Sequence, residues 1–281
     1  MSIILVTGAR GNVGGRVVAS LAKTGHRVRA LVREPQKSKF DPSVEVVEGT
    51  YDDPTALRRA MAGVSAAMFI TAGPEIARHD GALAGAAREA GASRVVKLSI
   101  YAAGVGGSEI RAWHKAGEDQ IIAAGLPWTF LRPGPFASNA LRWLPSLRGV
   151  GKAYGAFGEA ALPVIHPDDI ADVAVAALTS SGHESKIYDL TGPVALTAAQ
   201  QVAILSDIVG KPFTYINVDD DAAVRGMIDA GMSKPAATAM LHLVQAVRAA
   251  PPRVSDVVPR LLGRPARTFR QWVEANKEAF R

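Results

Sequence analysis

Short apolar runs alternate with longer amphipathic stretches through the first half of the chain. Ile3-Ile4-Leu5-Val6 is a strand-type run that enters the turn Thr7-Gly8-Ala9-Arg10-Gly11-Asn12-Val13-Gly14-Gly15, and Arg16–Ala22 then has helical spacing. Further strand-like runs lie at 26–33, 44–49, 66–70, 94–99 and 128–133, separated by helical stretches at 53–61, 76–91 and 110–124. Strands alternating with helices of this length predict a parallel sheet covered on both faces, with ligands at the carboxyl ends of the strands. Beyond Phe136 the pattern is less regular, with helices at 168–178 and 198–209, a strand at 186–190 and an apolar helical tract at 236–249. The predicted organisation is α/β: a Rossmann-type, doubly wound parallel sheet over residues 1–135, and a smaller substrate-side lobe over 136–281 from which some segments return to the sheet.

The turn after the first run carries the earliest chemistry. Gly8 allows a tight turn, Gly11 lets backbone approach a pyrophosphate, and Gly14 lets helix and strand pack closely, leaving free N–H groups at the helix start for phosphate. Gly8, Ala9, Arg10, Gly11, Asn12 and Val13 are therefore candidate dinucleotide contacts. Arg33 ends the second run, where an acidic residue would select NADH. A guanidinium there can grip a 2′-phosphate, so NADPH is expected to bind better than NADH, with Glu34 pointing away and Lys37 and Lys39 adding charge. The alternative for Arg33 is a solvated strand end. Thr71, Ala72 and Gly73 follow the fourth run as a turn of small residues. Ser99 ends the fifth, its hydroxyl facing either the nicotinamide or the backbone. Pro133-Gly134-Pro135-Phe136 is a rigid loop that would present backbone and a ring to the nicotinamide end, or simply join two units.

Composition narrows the chemistry. The 281 residues are 48% hydrophobic and contain no cysteine, so disulfides, thiolate metal sites and cysteine nucleophiles are excluded and redox chemistry needs a borrowed cofactor. Thirty-two basic against 26 acidic residues give +6, scattered without a nucleic-acid-binding block. No run is long enough to span a bilayer and no leader pattern precedes Ile3, so a cytoplasmic protein is expected, without membrane or nucleic-acid partners. No metal is expected, since the ligand sets for one are missing from the motifs; Asp168 or Asp169 after His166-Pro167 reads as a helix N-cap.

A reductase of simple carbonyls would carry a tyrosine four residues before a lysine. The tyrosines at 51, 101, 154, 188 and 215 are followed at that spacing by Thr55, Val105, Gly158, Gly192 and Asp219. The helix at 110–124 has instead His114 with Glu118 one turn on. His114 is the candidate catalytic residue, as proton donor or holder of the nicotinamide ribose; the alternative is a structural histidine paired with Glu118. Phe136, Trp113, Trp143 and the helices after 220 would make an apolar pocket for a flat substrate.

Taken together, Val6–Gly14, Leu31-Val32-Arg33, His114 with Glu118, Trp128–Pro133 and Gly182–Tyr188 resemble the NmrA-like group of atypical short-chain dehydrogenases along nearly the whole chain. The likeness is greatest to its flavin-free NADPH-dependent reductases. It implies cofactor contacts along Gly8–Gly14, at Arg33, at Thr71–Gly73 and from Pro133 onward, with Ile110 in the vacant tyrosine position. Thr50 departs from the aspartate often found before the tyrosine matched by Tyr51. The implied activity is hydride transfer to a small aromatic acceptor, azo compounds first and quinones or triarylmethane dyes as related substrates, by a monomer or homodimer. An NADPH-sensing regulator acting through protein partners is the alternative.

Overall fold

In the computed structural model, residues 3–281 are described. Nine strands run in chain order: β1 Ile3–Val6, β2 Arg27–Val32, β3 Glu45–Glu48, β4 Val64–Phe69, β5 Arg94–Leu98, β6 Trp128–Pro133, β7 Lys152–Gly155, β8 Lys186–Leu190 and β9 Thr214–Asn217. The helices are α1 Asn12–Lys23, α2 Pro54–Met61, α3 Ile76–Glu89, α4 Glu109–Ala123, α5 Leu144–Val150, α6 Pro167–Thr179, α7 Ala198–Val209, α8 Asp220–Asp229, α9 Lys234–Arg248, α10 Val257–Leu262 and α11 Phe269–Asn276. Seven strands form one parallel sheet in the order β3-β2-β1-β4-β5-β6-β8. The order reverses direction between β1 and β4, which opens a crevice at their carboxyl ends.

Period-two alternation sorts the strand residues between two cores. Ile4, Val6, Val28, Ala30, Met68 and Val96 face α1 and α6, while Ile3, Leu5, Leu31, Ala67, Phe69 and Val95 face α2, α3 and α4. Each inner strand is buried on both faces, as a doubly wound sheet requires. A third cluster, around Leu147, Leu205, Phe213, Phe269 and Trp272, joins α7 and α11 to the parallel pair β7–β9. The sheet therefore continues past Phe136: α6 packs beside α1, and β8 is its last strand.

Several elements of the second half carry no sequence signal. β7 and β9 are four-residue strands paired only with each other, and α8 buries no residue at all. The cap of α6 differs from the expectation. Pro167 occupies its first turn, and Nδ1 of His166 accepts the Asp168 N–H at 3.1 Å. Asp168 is thereby free to reach Nε of Arg16 at 2.6 Å, and the buried Asp169 pairs with Arg264 and Arg267. The two aspartates tie α6 to α1 and to the chain before α11 rather than capping their own helix. No helix among the described residues is long and apolar enough to cross a membrane.

Candidate functional site

The loop from β1 to α1 is built around steric limits. Gly8 has φ +58, and a Cβ there would lie 2.9 Å from the Ile70 side chain; a Cβ on Gly14 would lie 2.3 Å from the Gly8 carbonyl oxygen. Only glycine permits this approach of helix to strand. α1 starts at Asn12 with Gly11 as N-cap, no capping side chain and no acidic residue in its first turn, so its first N–H groups and the positive end of its dipole face outward. The loop is braced from below. Thr7 Oγ1 accepts the Ile70 N–H at 2.7 Å, and the Tyr51 hydroxyl donates to the Ile70 carbonyl at 3.0 Å. Asn12 Nδ2 donates to Ser138 Oγ at 2.7 Å, linking the loop to the chain after β6.

Arg33 is exposed just past β2. Glu34 does not point away: its carboxylate lies 2.5 Å from Lys37 Nζ and 3.5 Å from a terminal nitrogen of Arg10. The bond from Lys37, then Arg10 and Arg33, hold its carboxyl below the usual range. Three cations thus share one carboxylate, leaving positive charge at this end. Arg10, Lys37 and Lys39 also border a cleft of about 470 Å³ between α1 and Phe40.

At the other end the polar groups are buried. Lys97 on β5 and Asp80 on α3 are both 0% exposed, with Nζ 2.6 Å from Asp80 Oδ2. That contact is a charge pairing without hydrogen-bond alignment; Asp80 Oδ1 accepts from Thr71 Oγ1 at 2.8 Å, and Lys97 donates to the same hydroxyl at 3.1 Å. Burial lowers the Lys97 pKa, against the pull of Asp80. Thr71 therefore turns its side chain inward, and only its backbone, with exposed Ala72 and half-buried Gly73, faces the crevice. Glu118, 1% exposed, accepts from Ser99 Oγ at 2.6 Å and from Arg132 Nε and Nη2 at 2.9 and 2.5 Å. The Ser99 hydroxyl is thus spent on Glu118 and not on backbone.

Glu118 is not the partner of His114. The His114 Nδ1 is sealed from solvent and bonded to nothing among the described residues. Burial first, then the charge of Lys97, push its pKa from 6.5 down to about 3, so the imidazole is neutral at neutral pH. It can donate or accept one hydrogen bond there but is no imidazolium acid. The loop at Pro133 is stitched on three sides. Gly134 N–H donates to Leu190 O at 2.8 Å, Tyr101 N–H to Pro133 O at 2.9 Å, and Ile165 N–H to Pro135 O at 2.8 Å. Phe136 is half-buried against the core beside α1, and Trp143 packs in the third cluster with its indole donating to Tyr154 O at 3.2 Å.

Asp80, Lys97, Arg132 and Arg111 were not singled out by sequence reasoning. A lysine inside Val95-Val96-Lys97-Leu98 and an aspartate in an alanine-rich helix were the available signal, since charges on buried elements are rare unless paired.

A glycine loop opening onto an uncapped helix, cations past the second strand and a crevice at the reversal of strand order together define a dinucleotide-binding protein of the doubly wound class. The NAD(P)H-binding family matches residues 8–181. The (4-alkanoyl-5-oxo-2,5-dihydrofuran-3-yl)methyl phosphate reductase of Streptomyces griseus is 41% identical over 99% of each chain. The NAD(P)H azoreductase of Xenophilus azovorans is 35% identical over 99% of each. The NADPH-dependent quinone oxidoreductase of Escherichia coli, solved with NADPH, superposes with a TM-score of 0.87 at 26% identity, covering 97% of this chain and 99% of that one. The chain belongs to the NAD(P)H-binding family and is an NAD(P)H-dependent oxidoreductase. These relatives are reductases by name, so the regulatory alternative is not favoured.

Proposed function

We propose that the protein is an NADPH-preferring reductase of flat, conjugated acceptors, with azo compounds the first candidates and quinones, triarylmethane dyes and conjugated lactones as related ones. NADPH bound in the crevice supplies a hydride. The observation that carries the reading is the state of His114: neutral, and standing on the helix that has no tyrosine–lysine pair. No strong acid waits beside an acceptor oxygen. An isolated ketone needs such an acid, whereas an azo bond, a quinone or an enone spreads the arriving electron pair over its π-system, and water can supply the proton afterwards. An azo bond takes up one hydride and one proton to become a hydrazo group, and a second equivalent splits it to two amines.

The chain's own groups bind and orient. The α1 N-terminus holds the pyrophosphate; Arg33, Arg10 and Lys37 hold the 2′-phosphate; the backbone at Thr71–Gly73 lies along the adenosine side. Ser99, Glu118 and Arg132 hold α4 against the sheet, and this sets the height of His114, whose ring nitrogen bonds the nicotinamide ribose. The relatives support the acceptor class: the names of two of them specify an azo compound and a conjugated lactone.

The test is acceptor-dependent loss of reduced nicotinamide with the purified protein, over azo, quinone, triarylmethane and conjugated-lactone acceptors, with a saturated ketone as control. Turnover with conjugated acceptors and not with the ketone is expected. Absence of turnover throughout, or activity that requires added flavin, would overturn the reading.

A further inference from the structure

One buried cation has no partner. Arg111 on α4 is 4% exposed; its Nε is sealed and unbonded, and no carboxylate among the described residues pairs with it. The terminal nitrogens, also without a protein acceptor, hold the little exposure the side chain keeps. Burial lowers the guanidinium's pKa without discharging it, and Tyr101 works against that shift. Other sheltered arginines have a carboxylate beside them, even Arg29, whose buried Nε likewise lacks an aligned hydrogen bond. Arg29 donates to the carbonyls of Ala60 and Ala62 at 2.7 Å each and lies 3.0 Å from Glu45; Arg132 has Glu118; Arg264 and Arg267 share Asp169 and Asp172. Leaving a buried guanidinium uncompensated is costly, and such a group calls for an explanation.

Its place in the fold supplies one. α4 follows β5 and runs back along the sheet, so its N-terminus lies beyond the strands' carboxyl ends. Arg111 and Glu118 are two turns apart on the buried side of α4. Glu118 meets Ser99 just past the end of β5, and seven residues of helical rise put Arg111 about 10 Å further out, over the ligand crevice, with His114 between. Tyr101 is held at the Pro133 loop by its 2.9 Å backbone bond. Across α4, His242 of α9 lies 2.8 Å from Glu109, and Ala246 is 3.7 Å from where a Cβ on Gly107 would stand. Arg111 thus stands one turn N-terminal to His114, toward the strands' carboxyl ends, on a helix that packs against α9. The cofactor's phosphates belong to the opposite end, at α1 and Arg33, and an oxidised nicotinamide is itself cationic.

We propose that Arg111 seats an anionic group of the acceptor, a sulfonate, carboxylate or phosphate, so that the physiological substrate is a conjugated molecule with an acidic substituent. The assignment rests on the acceptor lying over the N-terminus of α4, as the reductase reading has it. The bidentate fork of Arg111 supplies the missing charge pairing, with the Tyr101 hydroxyl as a second donor, and anchors the far end of the molecule while its π-system lies next to His114.

Equilibrium binding to the NADP⁺-loaded full chain, which needs no turnover, tests this. Calorimetric titration with 2-naphthalenesulfonate and 2-naphthyl phosphate should show roughly tenfold or greater preference over neutral 2-naphthol. R111M should erase that preference while NADP⁺ affinity stays within about twofold and thermal stability is kept or raised, because an unpaired buried charge is removed. R111K, which retains charge without the fork, should keep part of the preference and shows that the charge matters if R111M folds poorly. A preference for phosphate alone would assign a dianion, and equal preference a singly charged group. No preference in the native protein, or one that survives R111M, would overturn the proposal. Preference without turnover on any acceptor would sink the reductase reading and leave the anion seat standing.

Discussion

The two ends of the crevice hold charge in opposite ways. At the end proposed for the phosphates, Arg10, Arg33, Glu34 and Lys37 are exposed or half-exposed and mounted on turns, and the contacts that position them are charge pairs at the surface. At the end proposed for the nicotinamide, Lys97, Asp80, Glu118 and Arg111 are buried on strands and helices whose packing fixes them. Exposed pairs are screened by water and salt and tune affinity in small steps. Buried ones decide whether the elements carrying them can pack at all, so one end of the site is adjustable and the other is part of the core.

Breaking the buried end has the largest expected effect. Lys97→Met leaves Asp80 uncompensated and should cost about 3–5 kcal/mol in urea unfolding, while Lys97→Met with Asp80→Leu should recover much of that loss. If the single variant were as stable as the native chain, the claim that these charges are structural would be wrong.

Acid sharpens the comparison next. His114 has its pKa lowered to about 3 in the fold from 6.5 outside it, so below pH 6.5 the unfolded chain takes up a proton that the folded chain refuses. The stability attached to this group is complete above pH 6.5, falls as the pH drops, and levels off below about 3. At about pH 4.5 the loss should be on the order of 2–3 kcal/mol. Urea unfolding of His114→Gln should lack that part of the pH dependence. Parallel pH profiles for native protein and variant would contradict the neutral imidazole.

The exposed end gives the smallest changes. Arg33→Ala should weaken NADPH roughly tenfold and leave NADH nearly unchanged, through loss of one charged hydrogen-bonding group. Glu34→Gln should tighten NADPH by about a fewfold, because Arg10 and Lys37 lose their competitor, and the gain should shrink as salt rises. Fluorescence titration of both cofactors at two salt concentrations reads all of this. Equal loss for both cofactors in Arg33→Ala would remove the 2′-phosphate assignment.

What the chain determined locally is the half built from periodicity and glycine. The alternation that sends Ile4 and Val6 to one face and Ile3 and Leu5 to the other, the steric need for Gly8 and Gly14, and the absence of a tyrosine–lysine pair are properties of neighbouring residues, and they define a doubly wound sheet with a dinucleotide loop. Local order could not say where side chains find partners far along the chain. Glu118 binds Ser99 and Arg132 rather than His114, Thr71 turns in toward Asp80 and Lys97, Glu34 turns back to Arg10, and His166 caps α6 in place of the aspartates. A buried charge takes whatever counter-charge packing brings within reach, and that is decided by how helices cross the sheet. The same packing left the side chains of Arg111 and His114 without hydrogen-bond partners among the described residues, which no spacing along the chain announces.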